Sequence, residues 1–482
     1  MSLFGGIQTA LTGLEAQQVM IETTTQNTTN ADNPSYSRQV ADLVANPAYP
    51  APGFSAVGPG QIGAGVSVSD LRRVTDPFTQ TQLQSALAQQ GADGVTQDTT
   101  SQIEGIFNEL GTCSISNLTG QFWNAWQEVS NSPTDTGVRT SLVAAAQSLA
   151  SAVQQSASQL TSLQKNLDQQ VTVQVSTLNT LSAQVAALNK QIVAVQANGQ
   201  APNDLLDQRD SLISQMSGLA QVSVSQQPNG AARITLGGEP LVDGTTAEAL
   251  TTQTGLATGM QNIVAPDGTV ITPPGGSLNA LETERDQDIP GRLRSLNAWA
   301  GRMIAAVNAV HEGAGPPPTN VYNLANPGTP SSIPFFTGTD ATNLAVNSSI
   351  VSNPNLIAAS KTANGPGDGS NALAVVALQQ DPTAGGAPAG SPSMDGQYQS
   401  LAVSIGSAAS TALNNANDQQ VLVSHLQQRQ AQISGVSLDE EAANLISYQR
   451  AYEASARALT TFDSMLSTLI NNTGLVGTLS GG

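Results

Sequence analysis

Leu438, Leu445, Tyr452, Leu459 and Leu466 recur every seven residues toward the end of this 482-residue chain. Ala442, Ala456 and Ile470 lie four residues beyond three of them, and Tyr448, Phe462 and Leu469 widen the same stripe. This spacing predicts one long amphipathic helix. The segment "GVSLDEEAANL" should start it, with Ser437 as N-cap and Glu440 three residues on in a capping-box pattern. Asp439, Glu440 and Glu441 then put negative charge where the helix dipole favours it. Asn471, Asn472 and Gly474 should end it, for a length of about 34 residues or roughly 50 Å. Near the other end, Leu3, Ile7, Ala10, Leu14, Gln17, Ile21, Thr24 and Thr28 alternate in steps of four and three, a second heptad stripe that thins to polar residues. That helix should stop within "TTNADNPSYSRQV": Pro34 has no N–H and pushes Asn33 out of the α region, so extended chain is expected from Tyr36. A helix with a single apolar stripe is marginal alone in water. These two can cover their stripes on each other, on copies of the chain, or on an ordinary globular core. The flanking sequence offers little apolar surface for the last.

Between them the period changes. A helical region is expected over 139–217, where Leu178, Leu181, Val185, Leu188, Ile192 and Val195 keep a three-four rhythm preceded by Leu160, Leu163, Leu167, Val171 and Val175. It reads as a rod-like hairpin or bundle, restarting at Pro202-Asn203. Residues 221–275 alternate instead, with turns at Asn229-Gly230 and Pro266-Asp267-Gly268, which predicts a β-rich insertion. Helical character returns over 282–312 and again over 396–433, separated by segments rich in Gly and Pro. The expected fold is mainly α with a β-rich inserted domain (α+β). Terminal helices would form a coiled coil, an elongated helical bundle would follow, and the N- and C-terminal halves would be nested. The corresponding domains are 1–65 with 434–482 as the assembly domain; 66–220, 281–312 and 341–433 as the helical rod; and 221–280 with 313–340 as the β-rich outer domain.

Charge narrows the partners. The net charge is −19, with three Lys and thirteen Arg, so no cation cluster is at hand for nucleic acid or an anionic membrane surface. Aromatic residues make up only 4%, which suits thin cores and long polar surfaces. The lone Cys113 rules out a disulfide within the chain and is expected to be a small buried thiol. No basic-plus-apolar leader and no membrane-length apolar run is present; the longest is short, near "LAVVAL" at Leu373–Leu378. The chain should therefore be cytoplasmic, or exported without a cleaved signal.

Catalytic patterns fail their context. His311 and His425 lack ligand spacing and are expected at the surface or at helix ends. Gly58 to Gly63 matches the dinucleotide fingerprint formally, but "AGVSVSDL" after it reads as a strand rather than a helix. Ser162 and Lys165 match a serine-lysine pattern inside the heptad rod. Asp439-Glu440-Glu441 is explained by a solvated first turn. No enzyme activity, cofactor or metal site is expected. An enzyme of the cell envelope would need a constellation within 221–400, and the sequence offers none.

"GLEAQQVMIETTTQNTTNADNPSYSRQV" resembles the N-terminal signature of bacterial flagellar axial proteins, the family of rod, hook and junction proteins. Asn27, Asn30, Asn33, Pro34, Tyr36 and Arg38 carry the match. Gln26 and Ser35 depart from it, standing where Asn and Gly are usual; Ser35 is costly if that position needs φ > 0. "GAGVSVSDLRRVTDPF", "FWNAWQEVSNSPTD", "PNDLLDQRD", "LAVNSSIVSNPNLIAAS", "GDGSNALAVVAL" and "GVSLDEEAANLISYQRAYEASARALTTFDSMLSTL" extend the resemblance to the junction members over nearly the whole chain, except 221–280 and 313–340. A soluble coiled-coil scaffold would share the heptads but not "NPSYSRQ" together with that C-terminal segment. The resemblance implies a structural protein at the hook tip, secreted to the extracellular flagellum and cytoplasmic before export. Export would be unfolded, with a chaperone on the C-terminal helix. The hook protein, the second junction protein (hook-associated protein 3) and copies of itself in a ring would be its partners. Assembly contacts are then expected at Leu3, Ile7, Leu14 and Ile21 and at Leu438, Leu445, Tyr452, Leu459 and Leu466. About five large residues per stripe, at roughly 1.5–3 kcal/mol each when buried, do not offset the ordering entropy of both helices in one chain. The terminal helices are therefore expected to fold on assembly.

Overall fold

The computed structural model describes residues 3–48, 63–109, 111–256, 258–315 and 318–473. Helix α1 (Leu3–Thr29) is followed by an antiparallel hairpin, β1 (Gln39–Ala45) and β2 (Val66–Arg73), whose register slips between Asp42 and Leu43. Four helices come next: α2 (Pro77–Phe107), α3 (Ile115–Asn131), α4 (Thr136–Ala197) and α5 (Asn203–Leu219). Their starts follow from local chemistry. The Asp76 carboxylate accepts from the Phe78 N–H beside Pro77; Asp135 accepts from the Gly137 and Val138 amides. Helix α4 runs unbroken for 62 residues, roughly 90 Å. Leu160, Leu163, Leu167, Val171, Val175, Leu178, Leu181, Val185 and Ile192 of the expected stripe are buried, and Leu188 and Val195 are half-buried. Helices α2 and α5 cross so closely that a Cβ on Gly91 would stand 2.1 Å from the Gly218 carbonyl oxygen.

The β insertion forms two antiparallel sheets. One joins β3 (Val222–Gln226), β4 (Ala232–Leu236), β5 (Glu239–Asp243) and β6 (Thr246–Ala247); the other joins β7 (Thr251–Thr254), β8 (Gln261–Val264) and β9 (Val270–Ile271). Both expected turns are present, with Gly230 at φ 82° and Gly268 at φ 91°, the left-handed region that favours glycine. Ile234, Leu236, Leu241, Val242, Ile263 and Ile271 face the core. Helix α6 (Gly276–Thr283) passes through one π turn (Glu284–Asp288) into α7 (Ile289–His311). In that turn the buried Arg285 pairs with Asp286 and with Asp168 of α4, at 2.7 and 2.8 Å.

The remainder comprises β10 (Tyr322–Asn323), β11 (Phe336–Thr337), β12 (Ala345–Val346), α8 (Ser348–Ser352), β13 (Ala358–Ser360), α9 (Ser370–Ala377), α10 (Met394–Ser434) and α11 (Leu438–Thr473). β10 pairs with β13 and β11 with β12, so the strands within 313–340 join segments of 341–433 rather than the two sheets. The few aromatic residues are concentrated here. Phe122 of α3 packs against Trp123, Trp126, Phe335 and Phe336, with ring centroids 4.9–6.4 Å apart, Trp126 also meets Phe335 at 5.1 Å, and Trp299 of α7 lies against Tyr398 of α10.

Two sequence expectations are corrected. Cys113 is exposed, in the turn between α2 and α3, rather than buried. His311 does end a helix, but inside the aromatic core and fully buried; His425 is exposed on α10. The His311 Nδ1–H donates to the Ile333 carbonyl at 2.7 Å, and Nε2 accepts from the Ala358 N–H at 2.9 Å. The ring thus ties two loops to the end of α7. Burial pushes its pKa down to about 4, and the nearby Arg139 guanidinium acts in the same direction. An unfolded histidine titrates near 6.5, so the unfolded chain binds the extra proton between those values. Stability from this site is complete above about pH 6.5 and is lost as pH falls through about 4, by up to roughly 3 kcal/mol. Thermal unfolding followed across this window should show the loss, with a flatter slope for His311→Asn; parallel slopes would contradict it. Residues 58–62 of the dinucleotide-like motif lie outside the described residues. Ser162 is an exposed helix residue whose hydroxyl donates to the Ser158 carbonyl.

Candidate assembly joint

Helices α1 and α11 lie side by side. Gly6 faces the Phe462 ring, Gly13 faces Ser455, and Asn27 bonds to Glu441. As the α1 number rises by seven and then fourteen, the α11 number falls by the same steps, so the helices are antiparallel and meet in heptad increments. A Cβ on Gly6 would stand 2.6 Å from Phe462 Cζ, and one on Gly13 would stand 3.3 Å from Ser455 Oγ. Small residues at these positions let the backbones approach, and Ala10, Ala16, Thr24 and Asn27 are buried beside them.

The line of closest contact therefore runs one residue before Ile7, Leu14 and Ile21, which flank it half-buried. Leu445, Leu459 and Leu466 are half-buried on α11, and Leu438 and Tyr452 are exposed. The Leu3 side chain and Gly474 lie outside the described residues. Gly6, Gly13, Ser455 and Glu441 escape a search for apolar periodicity; the signal that could have found them is two glycines one heptad apart.

The Asn-rich turn closes the end of this pair. The Asn27 carbonyl oxygen accepts from the Tyr36 hydroxyl at 2.8 Å and the Gln39 N–H at 2.9 Å. Its amide donates to the Gln39 carbonyl at 2.9 Å and to Glu441 Oε2 at 3.2 Å. All four hydrogen-bonding positions of this side chain are thus used. Burial, and then the Asp204, Asp207 and Glu441 carboxylates, hold the Tyr36 phenol above its ordinary range, so it stays a donor. Asn30 caps the end of α1, its amide donating to the Gln26 carbonyl at 3.0 Å. Asn33 Oδ1 accepts from the Ser35 N–H at 3.1 Å. Ser35 is not among the residues at positive φ, so this turn does not call for glycine there. Arg38 donates to Glu440 at 2.8 Å, lies 3.4 Å from the buried Glu441, and sends its backbone N–H to the Ser434 carbonyl at 2.8 Å. Ser437 Oγ accepts only distantly from the Glu440 N–H, at 3.5 Å, and the Glu440 side chain, which a capping box would turn back to Ser437, is engaged by Arg38.

"PNDLLDQRD" opens α5 against the same segment. Asp207 accepts from the Ser37 N–H at 2.9 Å and from Arg73 at 2.7 Å; Asp210 accepts from Arg73 at 2.9 Å. Asn203 donates to Gln39 and to the Leu71 carbonyl, and Asp204 accepts from Gln39. The buried Arg209 donates instead to Asn189 of α4 and to the Gly230 carbonyl in the β3–β4 turn. These contacts hold main chain and side chains to one another; none is arranged around a reacting atom. Among the described residues no group of His, Cys, Asp and Glu has metal-binding geometry, and no helix is long and apolar enough to cross a membrane.

The sequence model described as the flagellar hook-associated protein FlgK helical domain matches residues 100–315, and that of the flagellar basal body rod FlgEFG protein C-terminal matches residues 427–472. The chain is therefore a structural component of the bacterial flagellum, of the axial class. The flagellar hook-associated protein 1 of Bacillus subtilis (strain 168) is 28% identical over 515 residues, spanning 99% of each chain, and that of Escherichia coli (strain K12) is 28% identical, spanning 96% of this chain and 99% of its own. The chain thus resembles flagellar hook-associated protein 1 along its whole length, a family that is structural rather than enzymatic. Its fold is that of the flagellar hook junction protein FlgK from Burkholderia pseudomallei, with a TM-score of 0.62 at 19% identity, covering 73% of this chain and all of the other. The first match runs through 221–280, where the sequence itself displays no family motif.

Proposed function

We propose that this protein forms the junction zone joining the flagellar hook to the filament, with the hook protein below it and hook-associated protein 3 as the next junction protein above. The observation that carries this is kinship over the full length of hook-associated protein 1, 99% of each chain. The protein is exported unfolded, held beforehand by a chaperone on α11, and takes its place extracellularly in a ring of copies at the hook tip. α1 and α11 form the coiled-coil assembly domain of 1–65 and 434–482, nested around a helical rod and a β-rich outer domain. What supports assembly through these helices is the apolar surface they leave open: Phe4 on α1, and Leu438, Ile446, Tyr452, Met465 and Ile470 on α11, are exposed in the single chain. Neighbouring copies cover that surface and also complete the burial of Ile7, Leu14, Ile21, Leu445, Leu459 and Leu466.

Leu459→Ala is expected to destabilise the assembled junction by about 2–5 kcal/mol and the single chain little. Equal melting of wild-type and variant assemblies would count against burial of Leu459 there. The direct biochemical test uses hooks isolated from cells lacking this protein. Added purified protein should decorate hook tips in electron micrographs and allow added flagellin to polymerise from them once the other junction components are supplied. Failure to bind hook tips would overturn the reading.

A further inference from the structure

Helix α5 touches both the chain that leads to the terminal helices and the β sheet, through opposite sides. Asp204, Asp207 and Asp210 recur every three residues and face Ser37, Gln39 and Arg73; Arg209 turns the other way, to Asn189 and Gly230. The Arg73, Asp207 and Asp210 side chains are mostly enclosed, 12%, 7% and 23% exposed, where ion pairs are screened less than at an open surface. These bonds lie wholly within one chain and need neither α1 nor α11.

The geometry points to α5 as a clasp that holds residues 36–39 and 71–74 on the helical body before the terminal helices fold, and so fixes the register in which they pair. From the clasped segment Gln39 presents its backbone N–H and C=O to Asn27 of α1, while Arg38 presents its guanidinium to Glu440 and Glu441 of α11. Each terminal helix is thus anchored at the end nearer the body, and the heptad steps from Asn27–Glu441 to Gly6–Phe462 follow outward. The slip in the hairpin between Asp42 and Leu43 separates the clasped half from the half that runs along α1, where a Cβ on Gly65 would collide with Thr12. This inference rests on the proposal that α1 and α11 order on assembly.

Hydrogen exchange on the full-length, unassembled chain tests it. The Ser37 amide, bonded to Asp207, and the Val74 amide, bonded to the Arg38 carbonyl, should exchange at least about 10-fold more slowly than amides in the middle of α1. Asp207→Ala should remove that difference, and Asp207→Asn, which keeps an acceptor for Ser37 but loses the charge facing Arg73, should remove part of it. Amides of α4 should keep their protection in both variants, which shows that the body has folded. Unprotected, fast exchange of Ser37 and Val74 alongside a fast-exchanging α1 in the wild type, or retained protection in Asp207→Ala, would overturn the clasp. Slow exchange throughout α1 and α11 of the wild-type chain would instead overturn folding on assembly, and the Asp207→Ala comparison would still decide whether α5 holds the segment.

Discussion

Trp126→Ala is expected to cost the helical body about 3–5 kcal/mol, the largest loss of any single substitution considered for that region. Trp126 is fully buried on α3 and packs against Phe122, Phe335 and His311, with ring centroids 6.4, 5.1 and 6.2 Å away. Its Nε1–H has no hydrogen-bond partner, so truncation removes packing and leaves no acceptor stranded. The cavity would open where α3, the 331–336 loop and the end of α7 meet. A chain with only 4% aromatic residues has little else there to fill it. Denaturant unfolding followed by far-UV circular dichroism measures the effect. Trp126→Phe should recover most of the loss, because the body of the ring carries the contacts. A cost below about 1 kcal/mol for Trp126→Ala would show that this core relaxes freely.

Asn27→Asp should have the largest effect on the terminal helices. The Asn27 amide donates to Glu441 at 3.2 Å, and Glu441 is only 2% exposed. A carboxylate in its place sets two negative charges against each other in a poorly hydrated site and also loses the donor to the Gln39 carbonyl. Breaking a buried charged contact of this kind costs roughly 3–5 kcal/mol. Asn27→Ala, which only deletes bonds, should cost less, about 1–3 kcal/mol. Because the repulsion has one named partner, Glu441→Gln should restore much of the loss in Asn27→Asp while giving little benefit to the wild type. Swimming and the melting of assembled junctions are both suitable readouts. No rescue by Glu441→Gln would mean that the two side chains do not meet in the assembled protein.

The sequence made α1 and α11 legible because their apolar residues keep strict heptad steps. The period alone did not reveal which stripe the helices turn toward each other. Gly6 and Gly13 carry no hydrophobic signal, yet close backbone approach selects them, and Ile7, Leu14 and Ile21 are left half-open. The long stripe of α4 and both β turns were readable for the same local reasons. Helix α2 was not, since its apolar face is as thin as Leu83, Ala86, Ile103 and Phe107 along 31 residues. The helix-end position of His311 was readable but its burial was not, because its partners, Ile333 and Ala358, come from loops that only the tertiary fold brings to α7. Cys113 was misjudged because thiols are usually buried, and nothing local marks the α2–α3 turn as an exception. "PNDLLDQRD" stood out as a motif without a role: its carboxylates meet Ser37 and Arg73 across more than a hundred residues of sequence, a distance that no local pattern spans.

The most direct test of the account is deletion of this gene, followed by electron microscopy of the cell surface and an assay for flagellin in the medium. The account predicts intact hooks without filaments, with flagellin shed into the medium, and recovery of filaments when the wild-type gene is returned. Normal filaments on the deletion strain would contradict a junction role, and loss of the hooks themselves would place the protein lower on the flagellar axis.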